Sequence, residues 1–260
     1  MRSPWSPPRP DVVLRLLVRT FSEVCLTVGT VIVLFVVYVL LWTGVKADRA
    51  MDGEMARMRD RWAAPAAHAP APAPVPTTAA PSPSTGPSTG PSTRPSTRPE
   101  PARTPEGRAF AEMYVPRFGR DWNKPVLEGT GTELLKKGLG HYPGSGRLGE
   151  TGNFAVAGHR RTYGDPFKDI PELRPGDSVI LKDATTWYTY TVRAAPLRTL
   201  PDETGVVDAV PARSPFTTPG RYLTLTTCDP EWGHSHRLIV WAELTGTRGA
   251  AEGEPEGLSS

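Results

Sequence analysis

The chain has 260 residues, 30 Lys and Arg against 27 Asp and Glu, and a formal net charge of +3. That excess is small and its cations are scattered, which excludes the basic patch interleaved with aromatics that nucleic-acid binding needs. Two cysteines, Cys25 and Cys228, stand about two hundred positions apart, so no disulfide framework is encoded and Cys228 is a lone thiol.

The first predicted element is a helix over residues 24–45, uncharged between Glu23 and Lys46. About 20 uncharged, mainly apolar residues is the length a helix needs to cross a hydrocarbon core of roughly 30 Å. A helix also satisfies its own backbone groups in lipid, and Trp42 near one end suits the headgroup interface. A secretory leader would have a shorter apolar core and a small-residue cleavage site. The segment therefore reads as a single-pass transmembrane anchor after a cytoplasmic segment, 1–23. Lys and Arg are nearly balanced on its two sides, so the positive-inside rule does not orient it. Residues 46–62 carry Met51, Met55 and Met58 among alternating charges and continue as a short polar helix.

Nearly half of the 30 prolines fall in residues 65–105, where a four-residue unit repeats over 83–98 as PSTG, PSTG, PSTR, PSTR. Proline, serine, threonine and glycine supply no core to offset the entropy of ordering. Residues 46–107 are thus a juxtamembrane segment and a disordered linker. As a polyproline-like spacer the linker would reach on the order of 120 Å fully extended, at about 3.1 Å per residue.

From residue 108 the texture becomes globular, and a single domain is expected over 108–247, followed by a disordered tail, 248–260. Strands are predicted at 111–116, 153–157, 178–182, 187–192, 221–227 and 237–244, separated by Pro-Gly punctuation. Residues 187–192 alternate strictly, with Trp187, Thr189 and Thr191 on one face and Tyr188, Tyr190 and Val192 on the other. Only 132–138 and 167–173 read as helical. Many short strands with few helices indicate a mainly β domain, a closed barrel or a sandwich.

Three residues carry the candidate chemistry. Cys228 ends the strand-like run LTLTTC, just before an Asp-Pro turn, and a strand end is a rigid place to present a nucleophile. His159 follows the run FAVAG at another strand end. A thiol is only a few per cent thiolate at neutral pH, and a nearby imidazole can favour the thiolate and protonate a leaving amine. Arg237 opens the apolar run LIVWAEL after Cys228, and a fixed guanidinium can donate to the oxyanion of a tetrahedral intermediate. His234 and His236 could ligate zinc, but they fall in a polar turn without a fourth ligand. Asp202, Glu203 and Asp208 match no compact calcium loop, and His141 reads as a loop-shaping residue. No metal and no cofactor are expected.

The order of His, then TLTTC, then Arg nine positions later resembles the signature of the sortase family, specifically class E of high-GC Gram-positive bacteria. MYVPRFG at 113–119, LLKKGLGHYPGS at 134–145, NFAVAGHR at 153–160 and LRPGD at 173–177 support it. The resemblance covers residues 108–245 and implies an eight-stranded β-barrel outside the cell membrane. It maps His159, Cys228 and Arg237 onto the family's catalytic triad. It also implies a cysteine transpeptidase that cleaves a C-terminal LAxTG- or LPxTG-like sorting signal after Thr and joins the surface protein to a peptidoglycan precursor amine. Tyr114, in a motif similar to class E, and Thr227, next to the cysteine, are the candidate substrate-binding residues. A pilin-polymerising sortase is the alternative within the family, and a non-catalytic stalked wall-binding module the alternative outside it.

Overall fold

The computed structural model describes residues 10–64 and 104–258. The proline-rich spacer expected between anchor and barrel lies outside the described residues. Helix α1 runs from Pro10 to Ala63, about 80 Å at roughly 1.5 Å per residue. Its segment Leu14–Tyr38 has a mean hydropathy of 2.1, is long and apolar enough to cross a membrane, and has no buried residue. This span begins ahead of the expected residue 24, because Leu14, Leu16, Leu17, Val18 and Phe21 extend the exposed apolar surface and Arg19 is paired with Glu23 at 2.9 Å.

The barrel is built from β1 (Ala109–Tyr114), β2 (Asn123–Glu128), β3 (Leu139–His141), β4 (Gly152–Ala157), β5 (Ser178–Lys182), β6 (Thr186–Val192), β7 (Leu197–Thr199), β8 (Arg221–Asp229) and β9 (His236–Gly249), with one short helix, α2 (Thr132–Leu135). Eight strands form the ring β6-β5-β1-β2-β3-β4-β8-β9, and β9 pairs back onto β6 to close it. Strand β7 adds three residues along β9. Closure leaves no long free edge, which is how an antiparallel-rich sheet of this size avoids pairing with other chains. The pairs β2–β3 and β4–β8 are parallel.

Period-two alternation places Met113, Phe154, Val156, Leu181, Tyr190, Leu223, Leu225 and Val240 inside the ring. In β6 the Tyr/Tyr/Val face is the inward one. Trp187, on the outer face, is buried instead under Tyr114 and Lys182. Three strands escape pattern reading. Strand β2 contains Pro125, which weakens a strand signal, and β3 and β7 have three residues each. Residues 167–173 hold a single 3-10 turn, Ile170–Glu172. Strand β9 continues to Gly249, pairing Gly246–Gly249 with Thr189–Thr186. The expected boundary at 247 missed this because a ladder needs only backbone groups and the segment offers no apolar signal.

The far part of α1 does not stand free. Ala47, Met51, Met55 and Met58, spaced to share one helix face, are each at most 6% exposed. Met58 packs with Ala109 and Leu127. Glu112 points outward from β1 yet is buried, and a buried carboxylate needs partners. Arg59 supplies them from Nε at 2.6 Å and Nη2 at 3.0 Å, and the Tyr114 hydroxyl donates to the same carboxylate. Arg61 Nη2 donates to Ala109 O at 2.8 Å. The polar helix expected over 46–62 is therefore a buttress of the barrel wall. Met58→Ala should weaken this docking by about 2–5 kcal/mol, the usual range for truncating a buried methionine. The measurement is amide exchange of the full chain in detergent, which should accelerate over residues 47–62 and β1; unchanged exchange there would mean the helix lies off the barrel in solution.

Candidate active site

Strands β4 and β8 run parallel with Ala157 opposite Thr226, and Gly158 N donates to Thr226 O at 3.1 Å, one step beyond β4. Continuing that register brings His159 level with Cys228. On the other side of β8, Cys228 is the direct cross-strand partner of Arg237, and the Cβ atoms of such pairs lie about 4.5–5.5 Å apart. Three residues spread over 79 positions of sequence thus meet at one end of the barrel.

Local chemistry explains why the chain reaches this arrangement. A Cβ on Gly158 would lie 2.6 Å from the Phe167 ring and 2.8 Å from Leu139 Cδ2, so only glycine lets the chain pass there. Phe167 N then donates to His159 O at 3.0 Å, fixing the turn after the histidine. Thr227 is buried, and its hydroxyl donates to Gly158 O at 2.8 Å. Its visible role is to tie the histidine-bearing turn to the cysteine strand.

The charges are sorted at this end. Arg160, next to His159, is ion-paired with Asp229, next to Cys228, and its Nη1 reaches Cys228 O at 3.4 Å. Arg198 Nε adds a second cation on Asp229 at 2.7 Å, and Arg161 pairs with Glu231. Arg237 differs: its Nη1 donates to His234 O at 3.0 Å and His236 O at 2.9 Å, and among the described residues no carboxylate neutralises it. A guanidinium held by carbonyls keeps its full charge. His159 Nε2 is sealed from solvent with no hydrogen-bond partner among the described residues. Burial, and secondarily the charge of Lys136, push the His159 pKa below its ordinary value of 6.5.

Tyr114 is not brought to this cluster. Strand β1 stands across the ring from β4 and β8. The Tyr114 ring packs on Trp187, and burial, then Glu112, hold its hydroxyl in the protonated form. Sequence reading missed Tyr142, whose hydroxyl lies 3.0 Å from Thr226 Oγ1 on the outward side of β8. It also missed the Arg160–Asp229 clamp, although each residue adjoins a candidate catalytic residue and so could have been picked out. At the opposite end a cavity of about 830 Å³ is lined by Glu128, His141, Ser145 and Tyr188. Glu128 Oε2, His141 and Ser145 Oγ stand in triad order at 2.9 Å steps. Ser145 Oγ also donates to Tyr142 O at 2.9 Å, and His141 Nε2 faces Gly146 O at 3.1 Å. Those backbone bonds make the group a buttress of the 142–146 turn.

Residues 113–245 match the sortase domain family. Sortase SrtE1 and Sortase SrtE2 of Streptomyces coelicolor are 30% and 31% identical to the chain over 93% and 92% of its length. The chain spans 61% of the first relative and 86% of the second. Sortase E from Streptomyces avermitilis is similar in structure, with 61% identity, a TM-score of 0.57, and coverage of 60% of this chain and 99% of that one. The chain belongs to the sortase family, class E. Its closed eight-stranded barrel is the sortase fold.

The lowered His159 pKa has a sign that can be checked. Its imidazole stays neutral to a pH below 6.5, so the acid limb of kcat/KM should fall below that value. Lys136→Ala removes one of the charges that oppose the imidazolium and should move the limb upward, toward 6.5. A limb that stays put or moves down would remove Lys136 from the electrostatics of the site.

Proposed function

We propose that the chain is a cysteine transpeptidase in which Cys228, His159 and Arg237 act on a C-terminal sorting signal. The observation that carries this reading is the double register at β8, with the histidine turn level with Cys228 on one side and Arg237 opposite it on the other. Cys228 passes its thiol proton to His159 as Sγ attacks the Thr carbonyl carbon of the signal, and Arg237 donates to the oxyanion. The Thr–Gly C–N bond breaks, His159 protonates the departing amine, and a thioester remains on Cys228. An amine of a peptidoglycan precursor then attacks the thioester and loses its proton to His159, and the Cys228 thiol is restored as the surface protein is released joined to the wall. No metal or cofactor enters either half. Helix α1 anchors the enzyme in the cell membrane with the barrel outside.

Support for a peptide substrate comes from the family and from a relative: Sortase E1 of Streptomyces coelicolor, 36% identical, has been crystallised with a tripeptide in its active site. Class E membership favours LAxTG over LPxTG. Within this chain Tyr142, beside Thr226, is better placed than Tyr114 to touch such a peptide, and Thr227 serves by holding Gly158. Incubating the chain with LAxTG and LPxTG peptides and a glycine-type amine should yield ligated product, mainly from LAxTG.

Two variants test the assignment. Cys228→Ala should abolish cleavage and transfer together while the barrel stays folded, and residual turnover would sink the mechanism. Arg237→Lys should lower the acylation rate by about 10²–10³, the usual loss of one oxyanion donor, with little change in peptide binding. A Lys variant near wild-type rate would leave Arg237 as a surface residue.

A further inference from the structure

The direction of α1 orients the barrel. From the Leu14–Tyr38 span the helix runs outward, and it meets the barrel first at Gly164. That glycine has φ +81°, and a Cβ on it would lie 2.6 Å from Met51 Cε and 2.8 Å from Asp48 Oδ1. Asp48 also pairs with Lys124 Nζ at 3.6 Å, at the start of β2. Further along come Met58 on Leu127, Arg59 on Glu112 and Arg61 on Ala109. The start of β2 and the end of β1 therefore lie toward the membrane, and the end of β2 and the start of β1 away from it.

The strand registers carry this polarity round the ring. Strand β3 is parallel to β2, β4 is antiparallel to β3, and β8 is parallel to β4. The ends of β4 and β8 and the start of β9 consequently point the same way as the start of β2, toward the membrane. His159, Cys228 and Arg237 sit on that rim, and Gly164, which touches α1, belongs to the turn that follows His159. The uncharged run of the sequence ends at Val45 and Ala47 lies two residues further on, about 3 Å at roughly 1.5 Å per residue, so the docked face of α1 begins within a headgroup layer, roughly 5–8 Å deep on each side of the hydrocarbon core. A second observation falls on the same rim. Among the described residues of the barrel, the large apolar side chains left exposed are Trp232, at 73%, and Leu200, at 51%. Trp232 lies in the β8–β9 turn, four residues after Cys228, and Leu200 follows Thr199, which pairs with Arg237. Tryptophan beside arginine suits the headgroup interface, and Arg161 stacks on Trp232 at 4.9 Å.

We infer that the catalytic rim faces the lipid bilayer that holds α1, with Trp232 and Leu200 resting in its headgroup layer. The cleft then opens toward peptides and amines that are themselves tethered to that membrane. The inference rests on α1 serving as the anchor and not on chemistry at Cys228, so a label can test it without turnover. In a Cys25→Ala, Cys228→Ala chain, a single environment-sensitive fluorophore is attached through Ser235→Cys, on the rim, or Thr185→Cys, in the β5–β6 turn at the far end. Each full-length chain is reconstituted in phosphatidylcholine–phosphatidylglycerol vesicles containing headgroup-region nitroxide lipid in both leaflets, so the direction of insertion is immaterial. The two sites are separated by the barrel height, about 20 Å for a six-residue strand. Most emission should be lost at position 235 and almost none at 185. Equal loss at both, greater loss at 185, or no loss at 235 in a chain that floats with the vesicles would overturn the orientation. A chain that fails to float would overturn the anchor reading, and the orientation with it.

Discussion

The parallel pairing of β4 with β8 is the constraint on which the site depends. In a parallel ladder both strands exit at the same end, so a histidine after one and a cysteine at the end of the other become neighbours without any loop to bring them together. The antiparallel return of β9 then sets Arg237 opposite Cys228. Two ladders of backbone hydrogen bonds thereby position all three side chains, and Gly158, Phe167 and Thr227 lock the one part that lies outside a strand, the turn at His159.

Charge at this rim is distributed mainly by two carboxylates, Asp229 and Glu231. Asp229 takes up both Arg160 and Arg198 and Glu231 takes up Arg161, whereas Arg237 has no acidic partner among the described residues. Paired cations have their field largely cancelled, whereas an unpaired guanidinium on a rigid strand meets new negative charge with little reorganisation. The same clamp joins the residue after His159 to the residue after Cys228, so it also resists separation of the two strands.

Helix α1 joins this site to the proposed membrane anchor. The helix that carries the apolar span continues without a break to Met58 and Arg59, and its outer part buries methionines against the wall while neutralising Glu112. The two chain ends that flank the proline-rich linker are held close together by Arg61 and Ala109. The docked helix, continuous with the apolar span, would then set the distance between barrel and membrane in the proposed arrangement.

Much of this was legible in the sequence because it is local. Alternation in residues 187–192 and 221–227, the apolar N-terminal run, and the strand-end positions of His159 and Cys228 follow from side-chain type and spacing alone. Pairing is not local. Which strand lies beside which, that β4 and β8 are parallel, and that Tyr114 falls across the ring from Cys228 depend on pairings between residues up to some 70 positions apart. The spacing of Met51, Met55 and Met58 showed a helix face, but the surface it covers exists only once β1 and β2 are paired. The sequence by itself determined the chemical groups and the elements that carry them. The tertiary structure decided their company and the direction in which they face, because register and docking are set by backbone pairing and packing between distant segments.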